Sequence, residues 1–536
     1  MLSINSIVVD SALPRPETTE MRDVLTTLDR PTTRDVSTAA LWWGVFFLSC
    51  ALYFITAQRD MNWQDSGLLQ WRVLTGDVYG ELSLAVAHPL LILAGQALKA
   101  IPVGTTELKM NFLSGVGMAV ALANFTGLII FLTGRWKTAL LFAAMLGVSH
   151  TAWWLSTLTE TYTWVAAGLT AELWLLARLI REPRGTTLAA LAFINGLGLT
   201  LHDFALLPLP VYASTAVWLA YTRKISFGAL GLAFVAYLAG AALIMGMVVQ
   251  TAISHGSLIF ALHSFLFGEG EERVLSTSFF SRYTLPNLAL ASLSYLNPVL
   301  PLAMLGWFRF RKDLGKPLAA AIGIVTFIEI LFIIRYPSQD QFTLSLPALI
   351  MIFLAAAIAA AHVQRVSSFW SRFVVSTSVL SIALMPVVYG TLPHALRMVG
   401  LEVKRPRTLP YRDELRYWIT PWKHNEHSAQ FFAETSLVQA AANGVILSDG
   451  TALFPLLMAR SSDPRYAGIT VNWPESVLPL PDKEPGRFLQ AVAGRPLYVV
   501  SPVPEYMPGG FKSLLHLATF TKRSHDALYR ATLSTP

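Results

Sequence analysis

Apolar runs, each close to twenty residues long, follow one another from about residue 39 to residue 390, with short polar loops between them. A helix needs about 20 consecutive apolar residues to cross the hydrocarbon of a bilayer. The pattern therefore predicts a polytopic α-helical membrane protein with about eleven transmembrane helices. The predicted spans are Ala39–Ala57, Asn111–Leu132, Thr138–Leu155, Thr163–Leu179, Thr186–Leu201, Phe204–Ala220, Phe227–Thr251, Leu288–Phe308, Leu318–Ile334, Phe342–Ala361 and Phe373–Gly390.

The loops between these spans alternate in charge. Because Lys and Arg concentrate in cytoplasmic loops, we expect the basic loops and the N-terminal tail, residues 1–38, to be cytoplasmic, and the acidic loops to face outward. The basic loops hold Arg135 and Lys137; Arg178, Arg181 and Arg184; Arg223 and Lys224; Arg309, Arg311, Lys312 and Lys316; Arg365 and Arg372. The acidic loops hold Asp60, Asp65, Asp77 and Glu81; Glu160; Asp203; Glu269, Glu271 and Glu272; Asp340.

The segment Leu82–Ile101 is nearly long enough to form a further span. As a span it would invert every later loop and move the basic ones across the membrane. It also contains His88-Pro89, and proline inside a helix removes a hydrogen bond and clashes with the preceding turn. We therefore expect an interfacial or re-entrant helix within a first outer loop, residues 58–110.

The composition agrees with a membrane protein. Of 536 residues, 54% are hydrophobic and only 14% are charged, whereas about 25% of a soluble protein is charged. The net charge of +7 is accounted for by the basic loops and gives no reason to expect a nucleic-acid partner. The single cysteine, Cys50, excludes an intramolecular disulfide.

The pattern changes at about residue 392, where polar turns and an amphipathic helix replace the apolar runs. GVILSD and RPLYVV are short apolar runs flanked by turn residues, which is typical of strands. We expect residues 392–536 to form a small extracytoplasmic α/β domain outside the transmembrane domain, residues 39–391. The sequence pI of about 9.4 and the lack of a retention signal favour a bacterial inner membrane with this domain in the periplasm.

Polar side chains gather at the outer ends of the predicted spans. Ionisable groups at that depth are costly unless they pair or line a wet cavity, so we expect one outward-facing cavity at the membrane surface. Its candidate residues are Asp65 and Ser66 in NWQDSGLLQW, Glu160 and Tyr162 in TLTETYTW, His202 and Asp203 in GLTLHDFALLP, and Arg335, Asp340 and Gln341 in RYPSQDQFTLSLP.

Each of these groups also has a purely structural interpretation. Asp65 and Ser66 could cap an interfacial helix, because Asp and Ser favour that position. Glu160 could be an ordinary loop end, His202-Asp203 a hydrogen-bonded pair that satisfies itself, and Arg335 a side chain reaching the lipid headgroups. The acidic FGEGEERV stretch reads as a solvated loop. The joint placement of the other groups on one side favours the cavity.

The outer-loop motifs resemble those of GT-C superfamily membrane glycosyltransferases. The likeness is strongest to the family, first catalogued as a domain of unknown function, that includes the plexin-type protein O-mannosyltransferases. The motifs that carry it are Asp65-Ser66-Gly67, His88-Pro89, Asn111 with Ser114, Trp153 with Glu160 and Tyr162, His202 before Pro208, and Asp340 before Pro347. In that family an acid follows the glycine, and here Leu68 stands in its place.

The resemblance implies an inverting transfer of a sugar from a polyprenyl-phosphate donor to an acceptor hydroxyl on a protein, glycan or lipid. Asp65 would be the base, held close to the reacting hydroxyl. Arg335, with His88 and His202, would bind the departing phosphate. Ser66, Tyr162, Asp203 and Gln341 would contact substrate, and Glu160 and Asp340 would orient the sugar or hold a divalent cation.

Two other classes of protein remain open. A transporter or flippase of lipid-linked sugars would also be polytopic with buried charges, but it predicts related halves and helices broken near the bilayer midplane, and the sequence shows neither. A scaffold for the C-terminal domain leaves the outer charges unexplained. We expect that domain, with Tyr411, Arg412 and Asp413 near its start, either to cover the cavity or to select the acceptor.

Overall fold

The computed structural model describes residues 37–80, 82–268, 271–401, 409–472 and 478–534. Most of the predicted N-terminal tail, together with Glu81 and Glu269 of the predicted acidic loops, lies outside the described residues. The helices before residue 401, in chain order, are α1 Thr38–Thr56, α2 Gln64–Thr75, α3 Pro89–Lys99, α4 Thr106–Thr133, α5 Trp136–Gly147, α6 His150–Leu155, α7 Tyr162–Arg181, α8 Gly185–Leu199, α9 Leu209–Tyr221, α10 Phe227–His255, α11 Leu258–Leu266, α12 Glu271–Val274, α13 Thr284–Ser292, α14 Val299–Leu314, α15 Lys316–Arg335, α16 Leu346–Val366 and α17 Ser368–Met398.

The fold is that of a polytopic helical membrane protein, as the apolar pattern predicted. Within the described residues, eight helical segments are long and apolar enough to cross a bilayer. They are α1, α4, α7, α9 with the preceding 3₁₀ turn Asp203–Leu206, α10, α15, α16 with the preceding 3₁₀ turn Thr343–Ser345, and α17. α5 and α8 are apolar but shorter, with 12 and 15 residues, so neither spans the hydrocarbon as one straight helix of about 20 residues.

The predicted span Leu288–Phe308 is not one straight helix. It is divided between α13, continued by the 3₁₀ turn Leu293–Tyr295, and α14, and the two parts meet at 85°. The bend falls at Asn297-Pro298. Pro298 has no amide hydrogen to continue the first helix, and Asn297 Oδ1 accepts a hydrogen bond from Val299 N at 3.1 Å, so it caps the second.

The segment Leu82–Ile101 does not form a span. A 3₁₀ turn at Leu84–Val86 leads into α3, which has 11 residues and begins at Pro89. Proline is favoured at a first helical position because its missing amide hydrogen would have no partner there. His88, just before it, has a left-handed backbone with φ of 45°, so the chain turns sharply as it enters the helix.

The most buried membrane helix is α16. Of the residues in its apolar stretch, 89% are buried inside the protein, against 72% for α4 and 6% for α1. An apolar helix with little exposed surface lies at the centre of a bundle. α16 therefore forms the centre, and α1, with Trp43, Phe47 and Leu48 exposed, faces the lipid.

The C-terminal region contains the predicted α/β structure. Its elements are α18 Glu414–Ile419, α19 Ser428–Gln439, β1 Val445–Leu447, α20 Gly450–Ser462, β2 Thr470–Val471, α21 Pro485–Val492, β3 Leu497–Val499, β4 Ala518–Thr521 and β5 Tyr529–Leu533, with 3₁₀ turns at Pro464–Tyr466, Pro504–Tyr506 and Gly509–His516. The strand order is β2-β1-β3-β5-β4. β1 pairs in parallel with β2 and β3, and β5 pairs antiparallel with β3 and β4. β1 and β3 are the two runs predicted as strands.

The C-terminal region packs directly on the membrane helices. Trp63, which is 1% exposed, donates a hydrogen bond of 2.8 Å from Nε1 to Ser428 Oγ of α19 and packs against Phe432. Lys423 N donates to Thr56 O at the end of α1, at 2.8 Å. Buried residues of both regions belong to one hydrophobic cluster. The start of α2 is therefore held between the membrane helices and the C-terminal region.

Candidate active site

Asp65 lies in the first turn of α2. The helix begins after Trp63, and no side chain caps its first amide groups, so Asp65 and Ser66 are not helix caps. The Asp65 side chain is accessible to solvent. Desolvation by the surrounding protein, with a smaller contribution from Asp340, nevertheless raises its pKa to about 6. Asp65 is therefore exposed, yet the protein surrounds it closely enough to disfavour its charged form.

Glu160 approaches Asp65 from the loop before α7. Ser66 Oγ donates a hydrogen bond to Glu160 Oε1 at 2.7 Å. Desolvation raises the pKa of Glu160 to about 8, the Ser66 hydrogen bond opposes this rise, and the carboxylates of Asp65 and Asp340 add to it. The two acids thus differ in charge state at neutral pH, because Asp65 is mostly ionised and Glu160 is mostly protonated.

The backbone that carries Glu160 is held by α4. Ser114 Oγ accepts a hydrogen bond from Glu160 N at 2.8 Å and donates one to Glu160 O at 3.0 Å. One turn earlier, Asn111 Oδ1 accepts from Thr159 Oγ1 at 2.7 Å and from Gln70 Nε2 at 3.1 Å. Both α4 residues are fully buried. Asn111 and Ser114 therefore position the Glu160 loop against α2 from inside the protein.

Asp340 supplies a third carboxylate from the loop after α15. Its side chain accepts a hydrogen bond from Ser338 Oγ, and its charge acts on both Asp65 and Glu160. Gln341, the next residue, instead donates from Nε2 to Ile333 O at 2.6 Å. It closes the end of α15 and is 9% exposed, so it supports the loop.

The cation that acts on Asp65 is Arg273, which the sequence analysis did not select. Arg273 lies in α12, and its charge lowers the pKa of both Asp65 and Tyr336. Arg335 instead binds a backbone carbonyl: its Nε and Nη2 both donate to Ser276 O, at 2.9 and 2.6 Å. The only sequence signal for Arg273 was its place in FGEGEERV, which reads as a solvated loop.

His88 and His202 stack on each other, with ring centroids 5.2 Å apart. His88 Nδ1 donates to Leu201 O at 2.6 Å, and desolvation lowers its pKa to about 3, so the ring is neutral. His202 Nδ1 lies 2.5 Å from Asp203 Oδ1. The His202 ring also contacts Tyr162, at 5.3 Å between centroids. His88, His202 and Tyr162 are thus brought together, whereas His202 Nδ1 accepts a hydrogen bond from Phe204 N at 3.2 Å and Asp203 Oδ1 has no hydrogen-bond partner among the described residues.

Two buried carboxyl groups inside the membrane were not anticipated. Glu172 of α7 accepts hydrogen bonds from Tyr212 OH at 3.0 Å and from Asn195 Nδ2 at 3.3 Å. Glu329 of α15 is 2% exposed, and its Oε2 has no hydrogen-bond partner. Both line a narrow cavity that reaches His202. Each lies inside an apolar run, and one carboxyl group barely lowers the mean hydropathy of such a run.

The described residues contain no group of three or more His, Cys, Asp or Glu side chains arranged to hold a metal ion. Glu160 and Asp340 interact with each other and with Asp65 as carboxyl groups.

Two solved structures share the fold over nearly the whole chain. ArnT from Cupriavidus metallidurans bound to undecaprenyl phosphate matches with a TM-score of 0.56 and 13% identity, covering 94% of this chain and 100% of that one. ArnT in the apo state matches with a TM-score of 0.52 and 14% identity, covering 93% and 100%. No protein-family model and no curated protein sequence matches the chain.

These likenesses place the chain in the GT-C fold, with its helical membrane part and small C-terminal α/β region. This is the fold that the outer-loop motifs predict, and membership of the superfamily stays a prediction. At 13% identity the match establishes architecture alone. The narrower likeness to the O-mannosyltransferase family stays a prediction.

Proposed function

We propose that the protein is a membrane glycosyltransferase that moves a sugar from a polyprenyl-phosphate donor to an acceptor hydroxyl on the outer face of the membrane, with inversion. The observation that carries the proposal is the 2.7 Å hydrogen bond that brings Glu160 to the start of α2 beside Asp65, where the charges of Asp340 and Arg273 also act on Asp65. A lipid-linked donor keeps its phosphate at the membrane surface, where these residues lie.

Asp65 is the proposed general base. The acceptor oxygen attacks the anomeric carbon and loses its proton to the Asp65 carboxylate. The bond from that carbon to the phosphate oxygen breaks, and its electron pair leaves with the polyprenyl phosphate. A pKa of about 6 suits this role, because the group is ionised at neutral pH yet basic enough to accept the proton.

Arg273 is the proposed partner of the departing phosphate. A cation placed where negative charge develops stabilises the transition state without reorganisation. Arg273 acts on Asp65 across the site, whereas Arg335 is held by Ser276 O and His88 is neutral. Of the cations and histidines predicted from the sequence, His202 is the one whose role at the phosphate this geometry leaves open.

Glu160 and Asp340 are the proposed contacts of the transferred sugar. Glu160 is protonated at neutral pH, since its pKa is about 8, so it can donate a hydrogen bond to a sugar oxygen. Asp340 can accept one from a sugar hydroxyl. Tyr162, whose ring packs on His202, and Ser66, bonded to Glu160, complete the wall of the site.

The donor class is supported by the fold. ArnT was solved with undecaprenyl phosphate bound, and a polyprenyl phosphate is what remains after transfer from the proposed donor. The charge pattern of the loops favours a site outside the cytoplasm, which for a bacterial protein is the periplasmic face of the inner membrane.

The test is product formation by the purified protein. Incubation with polyprenyl-phosphate sugars and an extract of candidate acceptors should release polyprenyl phosphate together with a glycosylated product. Asp65→Asn should insert and fold normally and lose transfer by about 10²- to 10⁴-fold, while Glu434→Gln, an exposed acid on the C-terminal region, should not. Movement of intact donor across a vesicle membrane without cleavage would make the protein a flippase instead.

A further inference from the structure

A small cavity lies between the start of α2, the loop after α15 and the C-terminal region. Gln64, Gln339, Arg412, Thr451 and Tyr506 line it. Gln64 immediately precedes Asp65, and Gln339 immediately precedes Asp340. The cavity is therefore lined by the residues that directly precede two of the three carboxylates of the candidate site, together with residues of the C-terminal region.

Arg412 lies at the buried side of this cavity. Its side chain is 1% exposed, and its guanidinium lies 4.6 Å from the ring centre of Tyr417 and 5.5 Å from that of Trp63. Nε donates to Glu414 Oε1 at 2.8 Å. Nη1 is buried and has no hydrogen-bond partner. A buried donor without a partner is costly, and an oxygen atom of a ligand in the cavity would satisfy it.

The cavity wall favours a neutral, hydroxyl-bearing ligand. Of the described residues that line the cavity, Arg412 and Glu414 are the charged ones, and their ion pair carries no net positive charge to attract a phosphate or carboxylate. The other polar lining groups are two amides, a hydroxyl and a phenol, which donate and accept hydrogen bonds. The enclosed space is about 10 Å³, enough for one hydroxyl or water-sized group, and Gln339 is exposed at the edge.

We propose that this cavity is the acceptor subsite and that the acceptor is a neutral carbohydrate, one of whose hydroxyls reaches Arg412 Nη1 while a neighbouring hydroxyl faces Asp65. This inference rests on the proposed function, and it chooses a glycan over a phosphorylated or acidic acceptor. It also gives the C-terminal region a role, because Arg412, Thr451 and Tyr506 all belong to it.

Saturation-transfer NMR on the full chain in lipid nanodiscs tests the proposal without needing the donor. The probes are maltose, lactose, trehalose and a mannobiose, with glucose 6-phosphate and inorganic phosphate as charged comparators. At least one neutral disaccharide should receive saturation from the wild type. Arg412→Lys, which keeps the charge but removes Nη1, and Gln339→Ala, at an exposed position, should each weaken that signal about fivefold, the effect of one hydrogen bond.

Arg416→Gln is the matched control, since Arg416 is exposed and does not line the cavity. Asp65→Asn should keep the disaccharide signal even though it loses transfer, which separates failure of this inference from failure of the proposed function. The inference is overturned if no neutral disaccharide receives saturation, if only the phosphate-bearing probes do, or if Arg412→Lys and Gln339→Ala leave the signal unchanged.

Discussion

The Ser66 hydroxyl donates a 2.7 Å hydrogen bond to Oε1 of Glu160, 94 residues further along the chain. The bond joins the first turn of α2 to the loop before α7. It also affects the pKa of Glu160, because a hydrogen bond to a carboxylate favours the charged form. Ser66 therefore holds the pKa of Glu160 lower than desolvation alone would leave it.

Removal of this bond should change the pH profile of transfer on one side only. The rate should rise as Asp65 ionises near pH 6 and fall as Glu160 loses its proton near pH 8. Ser66→Ala removes the hydrogen bond, so the pKa of Glu160 rises and the alkaline limb should move up by about one pH unit. The measurement is kcat/KM between pH 5 and pH 10.

The acid limb should stay in place in Ser66→Ala, since Asp65 loses no partner. Ser254→Ala, at an exposed position at the end of α10, should leave both limbs unchanged. An alkaline limb that does not move in Ser66→Ala would show that the rate does not depend on the Glu160 proton.

Loss of Arg273 should affect both the donor and the base. Arg273→Gln removes the cation that lowers the pKa of Asp65, so the acid limb should move to higher pH, by up to about one unit. Donor KM should rise roughly tenfold, as expected from one lost charge-assisted contact. Arg273→Lys should retain the position of the acid limb.

Arg487→Gln, at an exposed position on the C-terminal region, controls for the loss of a surface charge. Equal kinetics in Arg273→Gln and Arg487→Gln would refute the role of Arg273.

Glu160 should destabilise the folded protein at alkaline pH. Its folded pKa of about 8 lies above the ordinary value of 4.5, so the folded state binds the proton more tightly than the unfolded state. Stability is therefore lost as pH rises from about 4.5 to about 8. Glu160→Gln, which cannot ionise, should be more stable than the wild type at pH 8 by about 1–2 kcal/mol, after allowance for solvent screening.

The measurement is the thermal unfolding midpoint of wild type and Glu160→Gln at pH 5 and pH 8. The gain should be largest at pH 8 and shrink toward pH 5. Glu434→Gln, an exposed acid outside the site, should show no such trend. A gain in Glu160→Gln that is the same at both pH values would contradict the assignment of a raised pKa.

The apolar pattern was sufficient to predict the fold class but not the straightness of each helix. Polar groups are costly in hydrocarbon, so a membrane span can be recognised from its own run of about twenty apolar residues. The bend between α13 and α14 depends on Pro298 and on the cap that Asn297 provides. α5 ends near Ser149, whose hydroxyl donates to Leu146 O at 2.6 Å. Such local hydrogen bonds do not alter an average hydropathy.

The candidate site was predicted in part for a related reason. Asp65, Glu160 and Asp340 could be grouped because alternation of loop charge sorts residues by membrane side. The choice between Arg273 and Arg335 could not be made that way, because both lie on the same side and only the fold shows whose charge acts on Asp65. Glu172 and Glu329 were missed because single carboxyl groups barely change the hydropathy of a span.

Gly67, which follows Asp65 and Ser66, should be the least replaceable residue of the α2 start. A Cβ there would lie 2.4 Å from Asn62 O and 3.3 Å from Phe454 Cβ of α20. Gly67→Ala must therefore displace the backbone before α2 and push α2 away from the C-terminal region. Overpacking of this kind costs about 1–3 kcal/mol, and a shift of about 1 Å at Asp65 costs about 10²-fold in rate. The thermal unfolding midpoint and the rate of transfer should both fall.

Gly246→Ala in α10, where no atom lies within 4 Å of the added Cβ, should be as stable as the wild type or slightly more so. A Gly67→Ala protein that unfolds and reacts like the wild type would show that the contact of α2 with Asn62 and Phe454 does not position Asp65.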